Sequence, residues 1–130
     1  MIPSALHAHI ILQLCIQTWQ SKHHIKPPKL IILKHKRYYN SLDNIDQFGS
    51  FSFVTNTISV RIHNHSSLLS ICDTILHEYR HHLQKDTYYN YKHAYHNHPM
   101  ELAAIKFAKK HRAKIARKIR KFLPYLDSTD

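Results

Sequence analysis

Two histidines four residues apart, with a glutamate after the first, form the run His77-Glu78-Tyr79-Arg80-His81 in a segment that reads as helix. Residues four apart on an α-helix stand one above the other, so two imidazoles can reach one metal ion. Glu78 is then placed to lean toward a water on that ion and act as general base. Catalytic zinc needs three protein ligands and one open position. His77 and His81 supply two of them. Glu101, 20 residues after His81 and in the first turn of the next predicted helix, is the preferred third, because a helix holds a ligand more rigidly than a loop does. His93, His96 and His98 compete for that role from the intervening stretch.

A chain with 14 histidines can produce such a pattern by accident, and random ordering of this composition yields about 0.02 matches. The surrounding residues argue against accident. Ser70, Asp73, Thr74, His81 and Gln84 fall on the side of His77, whereas Leu68, Cys72, Ile75, Tyr79 and Leu83 fall opposite. A polar face for a metal backed by an apolar face for a core is what a buried zinc helix requires. The chain's two glutamates are Glu78 and Glu101, one inside the motif and one where a third ligand is wanted. Asp73, one turn before His77, suits the orientation of a ligand imidazole. It equally suits an acidic residue in the first half of a helix, where the dipole favours it.

The other elements must position these groups. Residues 4 to about 21 read as an amphipathic helix capped by Ser4, with Ala5, Ile10, Ile11, Leu14, Cys15 and Trp19 as its apolar stripe. His7 and His9 read as surface or partly packed residues. Lys29 to Leu33 is a short continuous apolar run and predicts a buried strand. Phe51, Phe53, Ile58, Val60 and Ile62 alternate with polar residues across a turn near Thr55-Asn56-Thr57, which predicts a β-hairpin with those five side chains on one face. His63-Asn64-His65 reads as a loop leading to a helix N-cap at Ser66 or Ser67, and the motif helix runs to about Lys85. Asp86 to Pro99 is a Tyr-, His- and Asn-rich loop. A last helix starts near Met100 and ends about Phe122, with nine Lys/Arg between Lys106 and Lys121.

Composition sets outer limits. The 130 residues suit one domain with a modest core, and the 43% hydrophobic share argues for a folded chain. A formal charge of +11 favours association with something anionic, nucleic acid through the last helix being one such partner. The single glycine, Gly49, excludes a Gly-rich phosphate loop, a dinucleotide fingerprint and a nucleophile elbow. Cys15 and Cys72 lie far apart on core-like helix faces and read as buried free thiols, as in a reducing interior. No signal peptide is apparent, and the apolar run Ala5 to Trp19 is too short and too polar for a membrane span, so an intracellular, cytoplasmic location is expected.

His77-Glu78-x-x-His81 followed by Glu101-x-x-Ala104-x-x-Phe107-Ala108 resembles the core of the ImmA/IrrE-type metallopeptidases and related minimal gluzincins, over roughly residues 5 to 110. The resemblance implies a zincin-like α+β fold: a small, mostly antiparallel sheet packed on an N-terminal helix, the H-E-x-x-H helix and a following Glu-ligand helix. It implies Zn²⁺ held by His77, His81 and Glu101, with Glu78 as the base in hydrolysis of a peptide bond. It further implies a peptide substrate adding as a strand beside the hairpin edge around Ile58 to Ile62. Tyr91, Tyr95, His96 and His98 are the candidates for a donor to the developing oxyanion. The sequence departs from the family in its far more basic last helix and in showing no recognisable DNA-binding or sensor domain. Two other readings stand beside the peptidase: a basic nucleic-acid-binding protein with a structural histidine cluster, and a zincin-like binding module without catalysis.

Overall fold

The computed structural model describes residues 3–20, 26–34, 48–84 and 99–122. Helix α1 spans Ala5–Trp19, strand β1 Lys29–Leu33, β2 Gly49–Ser52 and β3 Thr57–Arg61. A 3₁₀ turn, Ile62–Asn64, leads into α2 (Leu68–Leu83), and α3 runs Pro99–Phe122. Among the described residues the class is α+β, with three helices and one three-stranded sheet. The tyrosines and histidines from Tyr88 to His98 lie outside the described residues, as do residues 35–47 and 123–130.

Helix α1 begins with a capping box. Ser4 Oγ accepts from the His7 backbone N–H (3.4 Å), and the Ser4 backbone N–H donates to His7 Nδ1 (3.0 Å). His7 is thus a buried capping partner, more covered than the surface or partly packed residue expected. The buried stripe is Ala8, Ile11, Leu12 and Cys15, at spacing i, i+3, i+4, i+7, while Ala5 stays exposed. The end of α1 inserts Trp19 against Phe107 (ring centroids 4.8 Å apart, edge to face) and His111 (4.9 Å) of α3 and against Tyr79 (6.3 Å) of α2.

The sheet differs from expectation in two ways. Its strand order is β1-β3-β2, with β1 parallel and β2 antiparallel to β3, so it is mixed and not mostly antiparallel. The run Lys-Leu-Ile-Ile-Leu is an edge strand, half-covered, with Ile31 49% exposed. Its continuous apolar pattern suggested burial on both faces, but among the described residues β1 pairs on one side only and none of its five residues is fully buried. The hairpin forms with Phe51 opposite Ile58, and Ile58, Val60 and Ile62 are buried. Phe53 falls beyond the end of β2, 42% exposed, and stacks edge-on against Phe51.

Asn56 turns the hairpin with φ 52°, a left-handed conformation that Asn tolerates better than most residues. Its side-chain N–H groups donate to the Lys26 and Pro27 carbonyls (3.1 and 3.2 Å). Its Oδ1 faces His82 Nδ1 at 2.7 Å, tying the turn to α2. His82 is fully buried, and its other nitrogen faces Gln20 Oε1 (3.1 Å), which also accepts from the Tyr79 hydroxyl (2.6 Å). The histidine next to His81 is therefore a structural one, locked into the α1–α2–hairpin junction.

One core unites Ile11 and Cys15 of α1, Ile58 and Val60 of β3, Ile71, Ile75 and Leu76 of α2, and Ile115 and Ile119 of α3. Cys15 and Cys72 are buried free thiols within it. Gly49 marks where the sheet meets α2: a Cβ added there would stand 2.7 Å from Thr74 Cγ2 and 2.8 Å from the Ser59 carbonyl oxygen. Gly49→Ala is expected to lower stability by about 1–3 kcal/mol through overpacking. Urea unfolding checks it. Part of the loss should return in the Gly49→Ala/Thr74→Ser double variant, which removes the Thr74 methyl; an unchanged midpoint in Gly49→Ala would mean that β2 moves away freely.

Candidate metal centre

Helix α2 begins where Ser67 Oγ accepts from the Ser70 backbone N–H (3.1 Å), in agreement with the expected N-cap. Its apolar side (Leu68, Ile71, Cys72, Ile75, Tyr79) is buried in the core, which turns His77 and His81 toward α3. The facing surface of α3 carries small residues, with Ala104 and Ala108 fully covered, so the two helices approach closely and bring Glu101 between them. Glu101 Oε1 contacts His77 Nε2, and Glu101 Oε2 lies 2.9 Å from His81 Nε2. The two imidazole centroids are 5.0 Å apart. Two residues of one helix and one of the next thus converge on a single point.

Glu78 is buried beside them. Ligand atoms of His77, Glu78 and His81 all lie within 4.8 Å of one another, a group able to hold a metal ion. Two carboxylates therefore border the same space. Glu101 touches both Nε2 atoms and so has the position of a ligand. Glu78, next to His77 on its own helix, borders the same space from α2. The set of two imidazole nitrogens and one carboxylate is a zinc donor set.

The electrostatics follow from this packing. Burial alone would raise the Glu101 carboxyl, but the hydrogen bonds from His77 and His81 outweigh it and hold the group down to about 2. Burial alone would lower His77, but its bond to Glu101 and the negative charges of Glu78, Glu101 and Asp73 raise it above its ordinary value. Without metal, this pair stabilises the fold most where Glu101 is ionised and His77 is protonated. The Glu101 contribution is present above its ordinary pKa of 4.5 and is lost as pH falls toward 2. The His77 contribution is complete below 6.5 and fades as pH rises through its elevated folded value. Metal must displace that proton. The expected result is a Tm gain on adding zinc that is small near pH 5.5 and grows by pH 7.5. Thermal scans of chelator-treated and zinc-saturated protein check this, and a gain that shrinks with rising pH would contradict it.

Gln84, which shares the face of His77 in the sequence pattern, bridges α2 and α3. It caps α2, its backbone N–H donating to the Arg80 and His81 carbonyls, and its side chain is buried. Its Oε1 lies 2.9 Å from His81 Nδ1, which fixes the ring so that its Nε2 faces Glu101. Its Nε2 donates to the Met100 carbonyl at 3.2 Å, immediately before Glu101. One amide therefore links the His81 imidazole on α2 to the backbone just before Glu101 on α3. Gln84→Ala should weaken zinc binding by about 10–100-fold, read by competition with a chromogenic chelator. Affinity equal to wild type would leave Gln84 as a helix cap alone.

Asp73 does not contact His77. It pairs with Arg112 Nη1 at 3.2 Å across the α2–α3 interface, both side chains more than a third exposed. Together with Phe48, Ser67, Ser70 and Thr74 they line a cleft of about 350 Å³ that begins one turn before His77. His65 ties two of these residues together, bonded to Ser70 Oγ (2.8 Å) and to the Phe48 carbonyl (3.2 Å). The sequence placed a substrate strand against Ile58 to Ile62, but β3 is the middle strand and both of its edges are taken by β1 and β2. The sheet edge nearest α2 belongs to β2. His93, His96 and His98, the rival third ligands, lie outside the described residues, as do Tyr91 and Tyr95.

No helix among the described residues is long and apolar enough to cross a membrane. Comparison of the chain with protein-family models, with curated proteins and with solved structures finds no match.

Proposed function

We propose that the protein is a zincin-like, zinc-dependent metallopeptidase that hydrolyses peptide bonds of a protein substrate. The observation that carries this reading is the convergence of Glu101 on the Nε2 atoms of both His77 and His81, with the Glu78 carboxylate beside them. His77, His81 and Glu101 would hold the ion and leave a position open. Bound zinc supplies Lewis acidity, lowering the pKa of a coordinated water to about 7. Glu78 takes a proton from the attacking water and returns it to the leaving amine. Its burial strengthens these transfers by keeping bulk water away. A substrate segment adds to the outer edge of β2, pairing through backbone hydrogen bonds as edge-strand ligands do. The neighbouring cleft with Asp73 and Arg112 then receives one of its side chains, and the charged pair suits a polar one.

The two alternatives make opposite demands. A structural histidine cluster needs no buried base, and a non-catalytic module needs the ion but not Glu78. The deciding experiment is incubation of zinc-loaded protein with a proteome-derived peptide library, reading new termini by mass spectrometry. New cuts should appear, vanish on chelation and return with added zinc. An intact library in the presence of stoichiometric zinc would leave the binding-module reading standing.

A further inference from the structure

The face of α3 opposite Glu101 carries a second kind of chemistry. At 100° per residue, Lys106, Lys109, Lys110, Lys114, Arg117 and Lys121 fall within an arc of about 140°. All six are exposed, and among the described residues none has a carboxylate partner. They recur once or more per turn over about 22 Å of helix. The acidic residue of α3 is Glu101, which points to the buried side with Ala104, Ala108, Ile115 and Ile119. Six like charges on one face repel one another at close range. The sheet and α2 do not use this face, since the core contacts of α3 come from its other side.

The geometry points to a nucleic-acid docking surface on the outer face of α3, engaging the phosphate backbone without base recognition. Charge complementarity selects this partner. A duplex presents one negative charge per ~1.7 Å of its axis, or about thirteen along the length of the stripe, enough to engage every cation. A membrane-surface helix needs large apolar or Trp residues bordering its charges throughout; the exposed Leu102 and Ile105 precede the stripe, and between Lys110 and Arg117 the residue within this arc besides Lys114 is Ala113. Base stacking is not built in either, because Phe107 turns inward to Trp19. Since Glu101 and the stripe lie on opposite sides of one helix, bound nucleic acid leaves the metal cleft open. The peptidase would act while tethered. Docking itself does not depend on the zinc reading.

Fluorescence anisotropy of a labelled 20-base-pair DNA duplex tests this across a salt series from 50 to 200 mM. Neutralising six phosphates predicts a log–log salt slope near −5. The triple variant Lys110→Gln/Lys114→Gln/Arg117→Gln should flatten it to about −2.5, with circular dichroism and zinc content as in wild type. Glu101→Ala should keep the wild-type slope, so loss of the metal site and loss of docking are distinguishable. No duplex binding at 50 mM salt, or a slope that the triple variant leaves unchanged, would overturn the proposal. Binding to phosphatidylserine vesicles without duplex binding would overturn it in favour of a membrane surface.

Discussion

Protein carrying Glu101→Ala is expected to purify with less than a tenth of the zinc found in wild type, which should hold about one ion per chain. Displacing a residue that only orients a ligand costs about 10–100-fold in metal affinity, and removing a ligand outright should exceed that range. Glu101 also bridges the two imidazoles in the metal-free site, so its loss leaves both Nε2 atoms without their shared acceptor. Glu101→Gln separates the effects. It preserves side-chain volume and one carbonyl oxygen but removes the charge that neutralises the ion, so zinc should still be lost while the fold survives. Elemental analysis of untagged protein decides the matter. Full zinc in both variants would show that another residue completes the site, and the histidines of the 93–98 stretch would be next to replace.

The second large effect concerns rate alone. Glu78→Gln should retain one zinc per chain and the wild-type Tm, yet lower kcat by about 10²–10⁴-fold, the range for a positioned general base. That corresponds to about 3–5 kcal/mol of barrier. The amide cannot accept the proton of the attacking water, but it matches the carboxylate in size within a buried site. KM should change little, because Glu78 is not part of the β2 edge or the adjoining cleft. Equal kcat in wild type and Glu78→Gln would remove Glu78 from the mechanism, whatever the metal content.

The readings that survived contact with the structure rested on local periodicity. The 3.6-residue pattern of Leu68, Ile71, Cys72 and Ile75 placed α2 and oriented His77 and His81. The alternation through Ile58 and Val60 placed the hairpin. Glu101 meets the two histidines where the first turn of α3 packs against the polar face of α2, a contact that periodicity within α2 does not specify. What the sequence hid depends on partners distant along the chain. The pairing of β1 with β3 spans about thirty residues, and nothing in Lys-Leu-Ile-Ile-Leu distinguishes an edge strand from a central one. Gln84 acquires its role from the Met100 carbonyl, and Asp73 from Arg112, 39 residues away. His7 deceived because a histidine at the third helical position is an unusual capping-box partner; Glu or Gln is the signal.

The two buried cysteines bear on how these ideas can be measured without a substrate. Both are shut inside the core between α1 and α2, and burial pushes the Cys72 thiol up to about 12. A thiol reagent therefore modifies them only during moments when the core parts, so the labelling rate of the native protein counts opening events. Zinc held as proposed by His77, His81 and Glu101 would favour the closed form and should slow that rate in proportion to site occupancy. The chain thereby contains its own recorder of metal affinity, read in hours from an unlabelled sample by the mass added at Cys15 and Cys72.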